Sequence, residues 1–206
     1  MAKNESYYSG EKYNLLAKKQ GYRSRAAFKL VQIDKEENIL KKNLNIIDLG
    51  CAPGGWSQVA SERLKGTGSI VGIDILNMPR LKGVEFIQCD LRNFDVSQLK
   101  TTIDVVISDI APNISGVNVV DDANMIDLLE IELSIVDKTL VKGGNYLAKC
   151  FQGDSLEYIT SNLRKRFNSF KRIKPLASRN ISKEIYVLGL NLSLIHISEP
   201  TRQEAI

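Results

Sequence analysis

Five apolar runs constrain this chain more than any other feature: LNIIDLG (44–50), SIVGIDI (69–75), VEFIQCD (84–90), IDVVISDI (103–110) and NYLAKCF (145–151). Each is apolar through most of its length instead of alternating with polar residues, so each reads as a strand covered on both faces. Helical patterns separate several of them. Trp56, Val59, Ala60 and Leu64 form one stripe, ended by Gly66; Leu129, Leu133, Val136 and Leu140 form another, ended by Gly143 and Gly144. A further helix is expected over 24–38, with Ser24 near its N-cap. This alternation predicts an α/β fold built on a doubly wound, mostly parallel sheet.

The rhythm changes after a helix expected at about 154–168. SFKRIK (169–174) and KEIYVLGL (183–190) both read as strands, joined only by a turn-like segment around SRN (178–180). That connection is too short for a helical crossover, so the last of seven strands should run antiparallel. A single domain over 1–192 accounts for the pattern. The tail SLIHISEPTRQEAI (193–206) holds the lone histidine, His196, and has no core pattern. It reads as disordered or non-native sequence, like translated adapter fused to a truncated frame, and is assigned no function.

No apolar run approaches the roughly 18–20 residues that span a bilayer, and MAKNESYYSGEKY lacks the apolar stretch of a signal peptide. A cytoplasmic protein with no membrane partner is expected. Cys51, Cys89 and Cys150 form no C-x-x-C pair and read as buried, reduced thiols, with no metal site. The net charge of +4 is unevenly spread: KKQGYRSRAAFK (18–29) and LRKRFNSFKRIK (163–174) contain no acid. Two such segments could make one phosphate-binding face, although a solvated surface fits them equally well.

DLGCAPGGWSQVA (48–60) is a strand running through a Gly-rich turn into a helix, a cradle for a small molecule. Gly50 and Gly55 have P-loop spacing, but Trp56 and Ser57 stand where lysine and hydroxyl are needed. The G-x-G-x-x-G dinucleotide turn is absent as well. A nucleoside ligand without phosphates remains. Asp48, Asp74 and Asp90 close three successive strands. Asp74 stands where a carboxylate accepts hydrogen bonds from ribose hydroxyls, and Asp90 where an acceptor meets an adenine amino group. Any one of them alone would read as a strand-end cap. Three on one sheet edge suit S-adenosylmethionine, with Gly54 and Gly55 admitting close backbone approach and the helix N-terminus receiving a carboxylate.

GYRSRAAFKL, DLGCAPGGWSQ, SDIAPNISG, KCFQG and SKEIYVLG, in that order, resemble the FtsJ-type ribosomal RNA ribose 2′-O-methyltransferase family from about Tyr8 to Asn191. Cys51, where alanine is usual, departs from the pattern, and so does the tail. The resemblance implies a Rossmann-like class I fold and S-adenosylmethionine as cofactor. It implies a cofactor-binding set of Asp48, Gly50, Pro53, Gly54, Gly55, Trp56, Asp74, Asp90 and Asp109. It also implies a catalytic tetrad of Lys29, Asp109, Lys149 and Glu184.

The residues themselves support that tetrad unequally. Lys149 interrupts an otherwise apolar strand, where a lysine is expensive unless paired, and Asp109 ends the strand expected beside it. Glu184 opens the antiparallel strand. Lys29 shares a polar helical stripe with Arg25, Gln32 and Glu36, which ordinarily means a solvated face. The expected reaction is in-line attack of a ribose 2′-hydroxyl on a sulfonium methyl, with Lys149 as base and Asp109 and Lys29 orienting it. A lysine acts as base only when neutral; Lys29 favours that form and the two carboxylates oppose it.

After the fourth strand, Asp109-Ile110-Ala111-Pro112-Asn113 lacks the aromatic residue typical of methyltransferases that act on base amines. A ribose target, and so RNA and not DNA, is expected. NISGVNVVDD (113–122) reads as a loop able to clamp the acceptor. By resemblance the substrate is a uridine in large-subunit, 23S-type ribosomal RNA within the large ribosomal subunit, with the protein a monomer. Another RNA such as tRNA is the alternative, as is a non-catalytic RNA-binding module of ribosome assembly. A short-chain dehydrogenase would need Tyr-x-x-x-Lys, and Tyr146 and Lys149 are one residue too close.

Overall fold

In a computed structural model, whose described residues are 9–178 and 182–193, the five apolar runs form adjacent parallel strands. They are β1 (Asn45–Leu49), β2 (Ser69–Asp74), β3 (Glu85–Gln88), β4 (Ile103–Ser108) and β5 (Leu140–Phe151). β6 (Phe167–Ile173) and β7 (Glu184–Leu192) complete a seven-stranded sheet of order β3-β2-β1-β4-β5-β7-β6. β7 pairs antiparallel with both β5 and β6, as the short connection requires. The strand order reverses between β1 and β4, the point where open α/β sheets form a crevice at their carboxyl ends.

Side chains alternate between two buried layers, which explains strands without polar alternation. Ile46, Val105, Ile107, Leu147 and Leu188 pack under α2 (Ala27–Glu37) and α3 (Gly55–Leu64), against Leu30, Ile33, Trp56 and Val59. Ile47, Val106, Ala148 and Val187 pack under α4 (Asn118–Thr139) and α5 (Asp154–Arg166), against Met125, Leu129, Leu133, Ile159 and Leu163. α1 (Ser9–Gln20) leans on α2 through Tyr13 and Phe28, whose ring centroids are 5.4 Å apart. Asp34 locks α2 to its surroundings by accepting from Leu40 N and from Arg63 Nε of α3, at 2.9 and 2.8 Å. No described helix is long and apolar enough to cross a membrane.

Several element ends differ from expectation. α2 starts at Ala27 with Ala26 as N-cap, because the Ser24 side chain is packed against Gly55 and does not cap. α4 begins at Asn118, so the expected loop over 113–122 is half helix. It ends at Thr139, whose Oγ1 bonds back to the Ile135 carbonyl, and Leu140, Gly143 and Gly144 belong to β5. α3 is closed by Lys65, left-handed like Gly66. All three cysteines are free, Cys51 and Cys150 buried and Cys89 half-buried. The segment 1–8 and the tail from 194, with His196, lie outside the described residues, as does most of the 178–180 turn.

Candidate functional site

Strand register assembles the site. Ser108 of β4 pairs with Ala148 of β5, so Asp109, one residue further, is level with Lys149. Lys149 in turn pairs with Tyr186, and Phe151 with Glu184. Because β7 runs antiparallel, its first residue arrives at the rim where β4 and β5 end. The alternation that sends Ile107 and Leu147 toward α2 also turns Asp109, Lys149, Tyr186 and Glu184 to that face, and α2 contributes Lys29.

The four side chains form a ring of alternating charge. Lys149 Nζ lies 3.2 Å from Asp109 Oδ1 and 3.9 Å from Glu184 Oε1. Lys29 Nζ lies 3.8 Å from Asp109 Oδ1 and 3.1 Å from Glu184 Oε2. Lys149 is the most enclosed, with 7% of its side chain accessible, and Glu184 the most open at 27%. Burial pushes the Glu184 carboxyl up, but the Lys29 and Lys149 ammoniums outweigh it and hold it below the ordinary range. Lys29 is not on a solvated face: Gln32, beside it on the stripe, is covered by Ala177 and Tyr13, to which it hydrogen-bonds.

Tyr186 belongs to this group, although no sequence motif singles it out. Its hydroxyl donates to Asp109 Oδ1 at 2.5 Å, its ring lies 5.5 Å under Lys29 Nζ, and burial keeps its phenol protonated, helped by the Asp109 charge. The only available signal was its place two residues after Glu184 in a strand, hence on the same face.

A cavity of about 670 Å³ opens at the carboxyl ends of β1 to β4, and Gly50, Asp74, Asp90 and Asp109 all line it. Asp74 accepts from Ala52 N and Leu76 N, both at 2.8 Å, which fixes the Gly-rich turn to the end of β2. Asp90 accepts from Arg92 N at 2.9 Å. Ile75 and Leu76, 63% and 65% exposed, form an apolar wall of the same cavity that no sequence pattern marked as functional.

Asp48, Pro53, Gly54, Gly55 and Trp56 stand behind that lining. Asp48 is buried and accepts from Ser57 Oγ at 2.5 Å; burial pushes its carboxyl up to about 7 despite that bond, with Asp109 and Asp74 adding to the rise. Trp56 donates from Nε1 to the Ala26 carbonyl at 2.9 Å and packs on Tyr186. A Cβ on Gly54 would meet Arg23 and Met78, and one on Gly55 would meet Ser24. These glycines thus admit the segment before α2, whose Arg23 donates to the Pro53, Pro79 and Arg80 carbonyls at 3.2, 2.6 and 2.7 Å.

Residues 18–29, the first basic segment, belong to α1 and α2. The second, 163–174, is split between the two faces: its α5 part lies opposite α2, whereas Lys171 of β6 reaches Glu37 of α2, on the side of residues 18–29. Several of their charges are already engaged: Arg166 with Asp137, Lys171 with Glu37 and Lys174 with the Ser182 carbonyl.

A family model for FtsJ-like methyltransferases matches residues 22–192. A Nitrosospira multiformis protein named Ribosomal RNA large subunit methyltransferase E is 47% identical over 180 residues, covering 84% of this chain and 87% of its own. A Coxiella burnetii protein of the same name is 42% identical over 192 residues, covering 88% and 91%. Among solved structures, a Plasmodium falciparum protein described as a ribosomal RNA methyltransferase superposes with a TM-score of 0.74 at 31% identity, covering 83% of this chain and 98% of that one. Aeropyrum pernix fibrillarin, at 16% identity and a TM-score of 0.57, covers 86% and 76% and shares the fold.

Proposed function

The chain belongs to the FtsJ-like methyltransferase family, and on that premise we propose that it methylates a ribose 2′-hydroxyl of large-subunit, 23S-type ribosomal RNA from S-adenosylmethionine. The observation that carries this reading is the Lys29–Asp109–Lys149–Glu184 ring standing beside a cavity lined by acids. A uridine as target, recognition within the large subunit, and action as a cytoplasmic monomer complete the proposal.

The cavity fits the cofactor by its chemistry. Asp74 and Asp90 would accept from the ribose hydroxyls and the adenine amino group, and Ile75 and Leu76 would cover the flat apolar ring. Asp74, Asp90 and Asp109 together favour a cation. When bound, S-adenosylmethionine supplies a methyl group on positively charged sulfur. Asp48, Pro53, Gly54, Gly55 and Trp56 would support it from behind, by fixing the turn between β1 and α3.

Lys149, in its neutral form, takes the proton of the attacking hydroxyl. Asp109 orients it, and its Oδ1 is the point on which Lys149, Lys29 and Tyr186 converge. Glu184, the open member, faces the incoming ribose, and Lys29 offsets part of the charge of the two carboxylates. Alignment of the nucleophile supplies most of the acceleration, since a thioether leaves without acid assistance.

The test is transfer of labelled methyl from S-adenosylmethionine to large subunits, naked ribosomal RNA and tRNA from cells lacking the enzyme. Label on one 2′-oxygen of the large-subunit RNA is expected. Label on a base, on tRNA alone, or on nothing overturns the proposal.

A further inference from the structure

The charged ring has openings on two sides. The 670 Å³ cavity contains Asp109, and a second cavity of about 340 Å³ contains Glu184, with Ile114, Asn118, Phe151 and Lys183 among its walls. The two have no lining residue in common: residues 109–113 line the first, and the second begins at Ile114. We propose that this second cavity receives the target nucleotide, its base against Ile114 and Phe151 and its phosphate toward Lys183. The proposal rests on the reading above and deepens it.

Three observations support this occupant. In-line displacement needs the nucleophile and the departing sulfur on opposite sides of the methyl group, and the ring presents Asp109 to one cavity and Glu184 to the other. The lining also suits a single unstacked base: Ile114 is 62% exposed, an apolar face that folding does not use, while Asn118 and Asp122 offer acceptors for an N–H edge. Val117, Val119 and Val120 extend that exposed apolar lip along the chain.

The site is also held in shape before any RNA arrives. Asp121 accepts from Ser115 N and Ser115 Oγ, both at 2.7 Å, and from Gly116 N at 3.2 Å, which fixes the loop carrying Ile114. Lys183 Nζ donates to Asn118 Oδ1 at 2.6 Å, tying the start of β7 to the start of α4. A preorganised wall loses less entropy when a flexible nucleotide docks.

The experiment compares Ile114→Ser, Ile114→Leu and Lys183→Ala with wild type on large subunits from cells lacking the enzyme, with cofactor binding to each measured by calorimetry. Ile114→Ser and Lys183→Ala should lower kcat/KM by about tenfold or more, chiefly through KM for the subunit, while Ile114→Leu stays within about threefold. The Kd for S-adenosylmethionine should stay within about twofold throughout. Wild-type kcat/KM in Ile114→Ser, or a parallel loss of cofactor binding, overturns the assignment. A wild-type enzyme that methylates no ribose removes instead the reading on which it rests.

Discussion

Asp109 holds Lys149 twice: the ammonium lies 3.2 Å from its Oδ1 and donates to its backbone carbonyl at 2.6 Å. The carbonyl contact survives any change at the Asp109 side chain, so the amine is aimed by the backbone that ends β4 as well as by charge. Lys149→Ala should therefore remove the proton acceptor without disturbing the cofactor cavity, which Lys149 does not line. Turnover should fall by about a hundredfold to ten-thousandfold with cofactor Kd unchanged. Lys149→Arg should not restore it, because a guanidinium stays protonated. Single-turnover methyl transfer and calorimetry measure the two quantities, and an active alanine variant removes Lys149 as the base.

How far the sequence carries can be judged from individual residues. The sheet was legible because β1, β2, β4 and β5 are covered on both faces, which leaves uninterrupted apolar runs, and because the segment before β7 is too short to hold a crossover helix. Lys149 was legible for the same reason, as a charge inside such a run. Lys29 was not, since a helical wheel cannot show that α1 and the chain near Ala177 cover Gln32 beside it. Gly54 and Gly55 read in the sequence as room for a ligand, and nothing local shows that their missing side chains also admit Arg23, Met78 and Ser24 from distant parts of the chain. Tertiary neighbours of that kind leave no local pattern.

The Ser24–Gly55 contact gives a test of this long-range packing. Gly55→Ala would drive a methyl group onto Ser24 Oγ, so the hydroxyl must turn aside, at a cost of about 1 kcal/mol, the low end of overpacking. Removing the obstruction with Ser24→Gly in the same chain should recover part of the loss. Urea unfolding of the four proteins of the cycle measures the coupling. Strictly additive effects would mean that the two residues do not meet.

Glu132, on α4, is wholly buried and accepts from Ser108 Oγ at 2.8 Å and from Tyr146 OH at 2.6 Å. Burial pushes its carboxyl up to about 7, although both hydroxyls and the Lys149 charge pull it down. Glu132→Ala should leave two buried hydroxyls without partners, at about 1–3 kcal/mol each. Adding Ser108→Ala and Tyr146→Phe should return much of that stability, since the groups left unsatisfied are gone. A triple variant weaker than the single one in chemical denaturation would contradict this account.

Asp48 sets a pH dependence of unusual sign. Its folded-state value of about 7 lies above the ordinary 3.8, chiefly because the carboxylate would be buried, so the folded protein keeps a proton that the unfolded chain releases. The associated stability is fully present below the unfolded value and is lost as pH rises from about 4 toward 7, the reverse of a salt-bridged aspartate. Asp48→Asn keeps the shape and removes the titration. The difference in unfolding free energy between variant and wild type should therefore move in favour of the variant across that interval and level off above it. Glu132 titrates in the same sense in both proteins, so the difference isolates Asp48. A gap that stays constant from pH 4 to 8 would mean that Asp48 ionises with its usual ease, and that the Ser57 hydroxyl, 2.5 Å away, offsets the whole penalty of burial.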